Sequence, residues 1–149
     1  MSEKQIVLRP RGTFYHLQEI YDRMNLEYFD DRCSAGITWG KDVRKNQWTS
    51  IKLGSYHGTG GENLIRIHPA LDNSRVPLYV MEWIVYHEMC HEFLRITGSK
   101  QRHAHHSPEF KRLERRYRHY RKASSWEKRN LEWLLGRRQL AFHIPAETT

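Results

Sequence analysis

The chain has 149 residues, 38% of them hydrophobic and 12% aromatic, which suits one domain around one core. Five Trp and eight Tyr argue against disorder, no run of about 18 apolar residues is present to span a membrane, and two cysteines are too few for a disulfide scaffold or a zinc ribbon. The net charge is +8 and lopsided, with 14 Lys and Arg against 8 Asp and Glu from Val76 onward and 11 against 9 before it. Such an excess fits an acidic partner, nucleic acid being the commonest, about as well as it fits a merely basic surface. The opening MSEKQIVLRP is too short and polar for a secretory leader, so a cytoplasmic location with reduced thiols is the expectation.

In chain order, the spacing of Phe14, Leu17, Ile20, Met24 and Tyr28 predicts a first helix from Thr13, as cap, to about Asp30. GITWG reads as a strand. SIKLGSYH and LIRIH alternate as two more, with the Gly-rich GTGGEN turning between them and Pro69 closing the last. A second helix is expected from Pro77 to about Thr97, with Gly98 as its C-cap. After the polar loop SKQRHAHH, Ser107 and Pro108 open a third helix carrying EFKRLERRYRHYRK. Ser124 and Glu127 fit a capping box that starts a fourth, holding Trp126, Leu131, Trp133, Leu134 and Leu135, before a frayed HIPAETT tail. A helix, then strands, then helices indicates an α+β domain.

The second helix poses a problem, because it is apolar nearly all round yet carries His87, Glu88 and His91 in its middle. Unpaired buried polar groups cost several kcal/mol, so something must compensate them or the face must open into a cleft. The spacing is H-E-x-x-H. Residues four apart share a helical face, so His87 and His91 can both aim a nitrogen at one metal at about 2.0–2.1 Å. Glu88 lies about 100° round the helix, beside that metal without ligating it, where a carboxylate can take a proton from activated water. With 10 His and 12 Glu, chance would produce roughly 0.05 such matches in the chain. The blander reading is a pair of core histidines satisfied by carbonyls. Glu88 and Glu92 are also four apart, and a nearby dication would offset their repulsion.

A catalytic zinc takes three protein ligands and keeps one position open. The spacing H-x-x-G-x-x-H of some zincins is absent, since Leu94 and Thr97 stand where Gly and His would be. Downstream candidates are His103, His105, His106, Glu109 and Glu114. His106 is preferred because the helix start at Ser107 fixes its backbone, whereas Glu114 reads more as a surface partner for an arginine. Cys90 reads as a buried apolar thiol and His68 as a structural residue at a strand end.

HEMCHEFL followed by HHSPEFKRLE resembles the Spartan-related SprT-like zinc metallopeptidases. LQEIYDRMNLEYFDDRCSAGITWG and LGSYHGTGGENLIRIHPALD resemble the family's opening helix, first strand and hairpin, so the likeness spans about Phe14 to Arg116. It implies a zincin-like fold in one domain over 1–149, with a core of about 14–116 and a basic helical extension over 117–140. It also implies one Zn2+ per chain on His87, His91 and His106, with Glu88 as general base. Where the family has Gly after the last histidine, this chain has Ser107, which is small and caps well. Many members add a Cys-rich ribbon that this chain lacks, so any DNA contact must come from elsewhere.

The function expected is zinc-dependent peptide hydrolysis, of DNA-associated or DNA-crosslinked proteins by the resemblance. The alternatives are a nucleic-acid-binding module with a structural or inactive metal site, and a zinc hydrolase acting on a non-peptide substrate. Arg115, Arg116, Arg118, Arg121 and Lys122 are the candidate nucleic-acid contacts. The stripe Phe110, Leu113, Tyr117 and Tyr120 has helical spacing and is expected to face the core.

Overall fold

The computed structural model describes residues 6–41, 53–98 and 106–134. The expected strand start at Ser50 to Lys52, the loop histidines His103 and His105, Leu135 and the HIPAETT tail lie outside them. The architecture is α+β. Helix α1 (Leu17–Tyr28) leads to strand β1 (Gly36–Trp39), then β2 (Gly54–His57), β3 (Leu64–Ile67) and a short 3-10 turn, Pro69–Leu71. Helices α2 (Leu78–Ile96), α3 (Pro108–Glu114) and α4 (Tyr120–Leu134) follow.

Among the described residues the sheet runs β1-β3-β2, with β1 parallel and β2 antiparallel to the central β3. The β2–β3 hairpin is the expected one. Its turn uses left-handed backbone at Gly60 and Gly61 (φ 63° and 85°), which glycine adopts without steric cost. Ile37, Ile65 and Ile67 are fully buried beneath α2, and α1 adds Leu17, Ile20, Tyr21 and Met24 to the same core. Helix α2 is the hub, packing against α1, β2, β3, α3 and α4. That explains its apolar circumference. It ends as expected at Thr97, with Gly98 left-handed (φ 74°).

Two helix boundaries differ from the sequence reading. Thr13 is not the cap of α1, because the helix starts after His16, and Phe14 is 55% exposed rather than part of the buried stripe. The carboxylate of Asp72 holds the preceding loop instead, accepting from the backbone N–H groups of Thr13, Phe14 and Tyr15 at 2.6–3.1 Å. A distant acceptor has replaced the local cap.

The third predicted helix is also two pieces. α3 ends at Glu114 in N–H to C=O bonds three residues apart, Arg116 to Leu113 and Tyr117 to Glu114. Tyrosine hydroxyls anchor the break. Tyr86 donates to the Leu113 carbonyl at 2.5 Å, Tyr117 bonds Tyr79 and Glu82 on α2, and Tyr28 accepts from the Arg118 N–H. α4 then begins at Tyr120, so Ser124 lies inside it and Glu127 is no capping partner but accepts from the Trp83 indole at 3.2 Å. The expected core stripe survives the break: Phe110, Leu113 and Tyr117 are buried and Tyr120 packs against them.

Glu92, on α2, is fully buried and is tied to the first third of the chain. It accepts from the Tyr21 hydroxyl at 2.9 Å and from the N–H groups of Ser34 and Ala35 at 2.8 and 2.9 Å. Its charge is met by donors, so no dication is needed to relieve it. Glu92→Gln should destabilise the fold by about 2–4 kcal/mol, because an amide cannot accept all three bonds and presents donors to donors. Urea unfolding checks this. A loss below about 0.5 kcal/mol, the range of ordinary surface changes, would contradict the tie.

Candidate metal centre

His87 and His91 project from successive turns of α2, and His106 stands just before α3. Pro108 and the Ser107 hydroxyl, which accepts from the Phe110 N–H at 3.2 Å, start α3 where the sequence places it. His106 itself has left-handed backbone (φ 57°), uncommon and mildly strained for a residue with a Cβ. The result is a cluster. One ligand nitrogen from each of His87, His91 and His106 lies within 4.8 Å of the others. Ligands on a tetrahedral zinc sit about 3.4 Å apart, so modest side-chain rotation spans the difference.

Phe110 forms the floor. It is 1% exposed, its ring stacks on His91 at 4.3 Å, and it lies 4.8 and 5.1 Å from the rings of His106 and His87. Trp83 packs edge-on against His87 at 6.0 Å. These apolar walls limit water and fix the rings.

Glu114 does not pair with a surface arginine as expected. Its carboxylate bonds His87 Nδ1 at 2.6 Å. That interaction places the proton on Nδ1 and leaves Nε2 as the nitrogen for a metal, the usual carboxylate–histidine support. Burial pushes the His87 pKa down, but the Glu114 hydrogen bond and the charges of Glu88, Glu114 and Glu127 outweigh it and hold it above the ordinary histidine value.

Glu88 is buried, 6% exposed, and faces strand β2. Gly54 makes its room: a Cβ there would stand 2.9 Å from Glu88 Oε2 and 3.1 Å from its Cγ. The two cysteines are not part of this chemistry. Burial, reinforced by the Glu92 charge, pushes the Cys33 thiol up to about 12, and burial with the Glu114 charge raises Cys90 well above its usual value. His68 is buried at the strand end, its Nδ1 accepting from the Ala70 N–H at 3.0 Å, as the structural reading expects.

The structure therefore gathers His87, His91 and His106, with Glu88 on the neighbouring helical position. The five basic candidates lie elsewhere, on the turn after α3 and the first turn of α4, all exposed. Arg118 is paired with Glu27, and the Lys122 ammonium sits 4.3 Å from the centre of the Tyr79 ring. The sequence names Glu114 and Phe110 without their roles here and gives Gly54 none. Glu114 could have been found from its spacing within α3, seven residues after Ser107 and on the Phe110 side of the helix. Phe110 was seen only as core, and Gly54 carried no signal at all.

The donor set suits zinc. The clustered donors are imidazoles, with a carboxylate behind one ring, and Cys90, although next to His91 in sequence, is not among the clustered ligand atoms. No curated protein and no solved structure gives a significant match. The family model described as "SprT-like family" matches residues 17–130, which is most of the chain and covers α1 through most of α4. A family associated with zincin-type metallopeptidases thus joins the His cluster and the α+β layout, and the chain belongs to the SprT-like family.

Proposed function

We propose that the protein is a zinc-dependent metallopeptidase, with His87, His91 and His106 holding one Zn2+ and Glu88 acting as general base. The observation that carries this is the convergence, among the described residues, of three imidazoles, with a buried carboxylate one residue along the helix. Three ligands leave a position for substrate or water, which favours an enzyme over a structural site. Zinc, when bound, polarises a carbonyl and makes water acidic near neutral pH.

The chain's own residues supply the rest. Glu114 holds the His87 ring in one tautomer. Phe110 and Trp83 exclude water from behind the rings. Glu88 takes the proton of the attacking water as its oxygen adds to the scissile carbonyl carbon. It then delivers that proton to the departing amine nitrogen when the C–N bond breaks.

For the substrate, we propose proteins associated with DNA. The basic turn and helix after α3 support weak, sequence-independent phosphate contact, since Arg115, Arg116, Arg121 and Lys122 are exposed. No described helix is long and apolar enough to cross a membrane. Both cysteines are free and buried, which fits the cytoplasmic location we assign.

In a purified preparation, about one zinc per chain is expected by elemental analysis. His106→Ala should empty the site, whereas His103→Ala and His105→Ala should retain the metal. Glu88→Gln should keep zinc and fold yet lower turnover about 10²–10⁴-fold on an unstructured peptide. Near-wild-type turnover of Glu88→Gln, or full zinc in His106→Ala, contradicts the assignment.

DNA binding should fall with salt at a log–log slope of about −0.7 to −0.9 per phosphate neutralised. Changing Arg115, Arg116, Arg118, Arg121 and Lys122 together to Gln should flatten that slope. An unaltered slope, or no binding to single- or double-stranded DNA at low salt, removes the DNA reading.

A further inference from the structure

We propose that Arg95 selects an acidic side chain in the substrate, about three residues from the scissile bond. This rests on the peptidase reading and adds a specificity residue to it. Arg95 follows Glu88 by seven positions on α2. Seven residues make nearly two full turns, so the two side chains leave the helix in almost the same direction, about 10.5 Å apart along its axis.

Strand β2 and its turn border both. A Cβ on Gly54 would touch Glu88, and one on Gly58 would fall 2.5 Å from Arg95 Nε. Among the described residues β2 is an edge strand, paired with β3 on one side only. An extended peptide advances about 3.3 Å per residue, so a chain reacting at Glu88 and lying along this line reaches Arg95 some three residues later.

The arginine is built for this use. Its Nε donates to the Tyr56 hydroxyl at 2.6 Å, and that hydroxyl donates to Asn63 Oδ1 at 2.7 Å. The guanidinium carbon lies 5.9 Å from the centre of the Tyr56 ring. The stem is thus held and one donor used, while the two terminal NH2 groups have no partner among the described residues, in an exposed side chain. Three other arginines are engaged: Arg23 with Glu82, Arg118 with Glu27, and Arg75 over the Trp133 ring. A planar fork with two free donor groups is suited to a carboxylate.

The test uses the zinc-loaded protein and neutral, unstructured peptides in which a single Glu is moved along both sides of the scissile bond, each matched to a Gln peptide. At one position about three residues away, Glu should raise kcat/KM over Gln by about 1.5- to fivefold, the range for an exposed, salt-screened pair. In Arg95→Gln the ratio should fall to about one, and in Arg95→Glu it should fall below one. A flat scan in the wild type, a preference next to the scissile bond, or one that survives Arg95→Gln overturns the proposal.

Binding of the same peptides to zinc-loaded Glu88→Gln protein, read by fluorescence anisotropy, separates this from the peptidase reading. Peptides bound with an Arg95-dependent Glu preference but never cleaved by the wild type uphold Arg95 and remove the peptidase reading. Cleavage without preference does the reverse, and neither binding nor cleavage overturns both.

Discussion

The structure depends on one helix that must be both a core element and a chemical surface. α2 touches every other helix and two strands, so its side chains are dictated by packing almost all the way round. Polar groups on such a helix persist only if each is satisfied, since burial without a partner costs several kcal/mol. The molecule meets this in two ways. Glu92 is turned into the protein and saturated by Tyr21, Ser34 and Ala35, which locks α2 to α1 and to the residues leading into β1. His87 and His91 are gathered on a face where His106, Glu114 and Phe110 complete a cluster, and Glu88 lies beside it against Gly54 of β2.

These two solutions are linked. The rotation of α2 about its axis decides whether His87 and His91 face His106, and Glu92 fixes that rotation from the far end of the motif. The tyrosine hydroxyls do the same for the other wall. By bonding the 113–118 segment to α2 and α1, Tyr86, Tyr117 and Tyr28 stop α3 after two turns. Glu114, its last residue, then lies against His87. A continuous basic helix would have carried the chain onward instead of folding α4 back across Trp83.

Much of this was legible in the sequence because its signals are local. The H-E-x-x-H spacing, the Ser107–Pro108 helix start beside His106, the glycine hairpin and the apolar circumference of α2 each need only a few neighbouring residues. What was not legible came from distant partners. Thr13 looks like a cap, but Asp72, far along the chain, takes over the backbone donors. Ser124 and Glu127 form a good capping box, but tertiary hydroxyl bonds move the helix boundary ahead of them. Glu114 sits in a run of arginines that suggests surface pairing, and only the packing of α3 on α2 directs it to His87. The parallel pairing of β1 with β3 likewise has no local signature.

X-ray absorption at the zinc edge of the metal-loaded protein reads the ligand set itself. Three imidazole nitrogens and one oxygen are expected at about 2.0–2.1 Å, unchanged in Glu88→Gln, with one imidazole fewer in any metal retained by His106→Ala. A sulfur shell at about 2.3 Å, or four protein donors that close the coordination sphere, would contradict this ligand set.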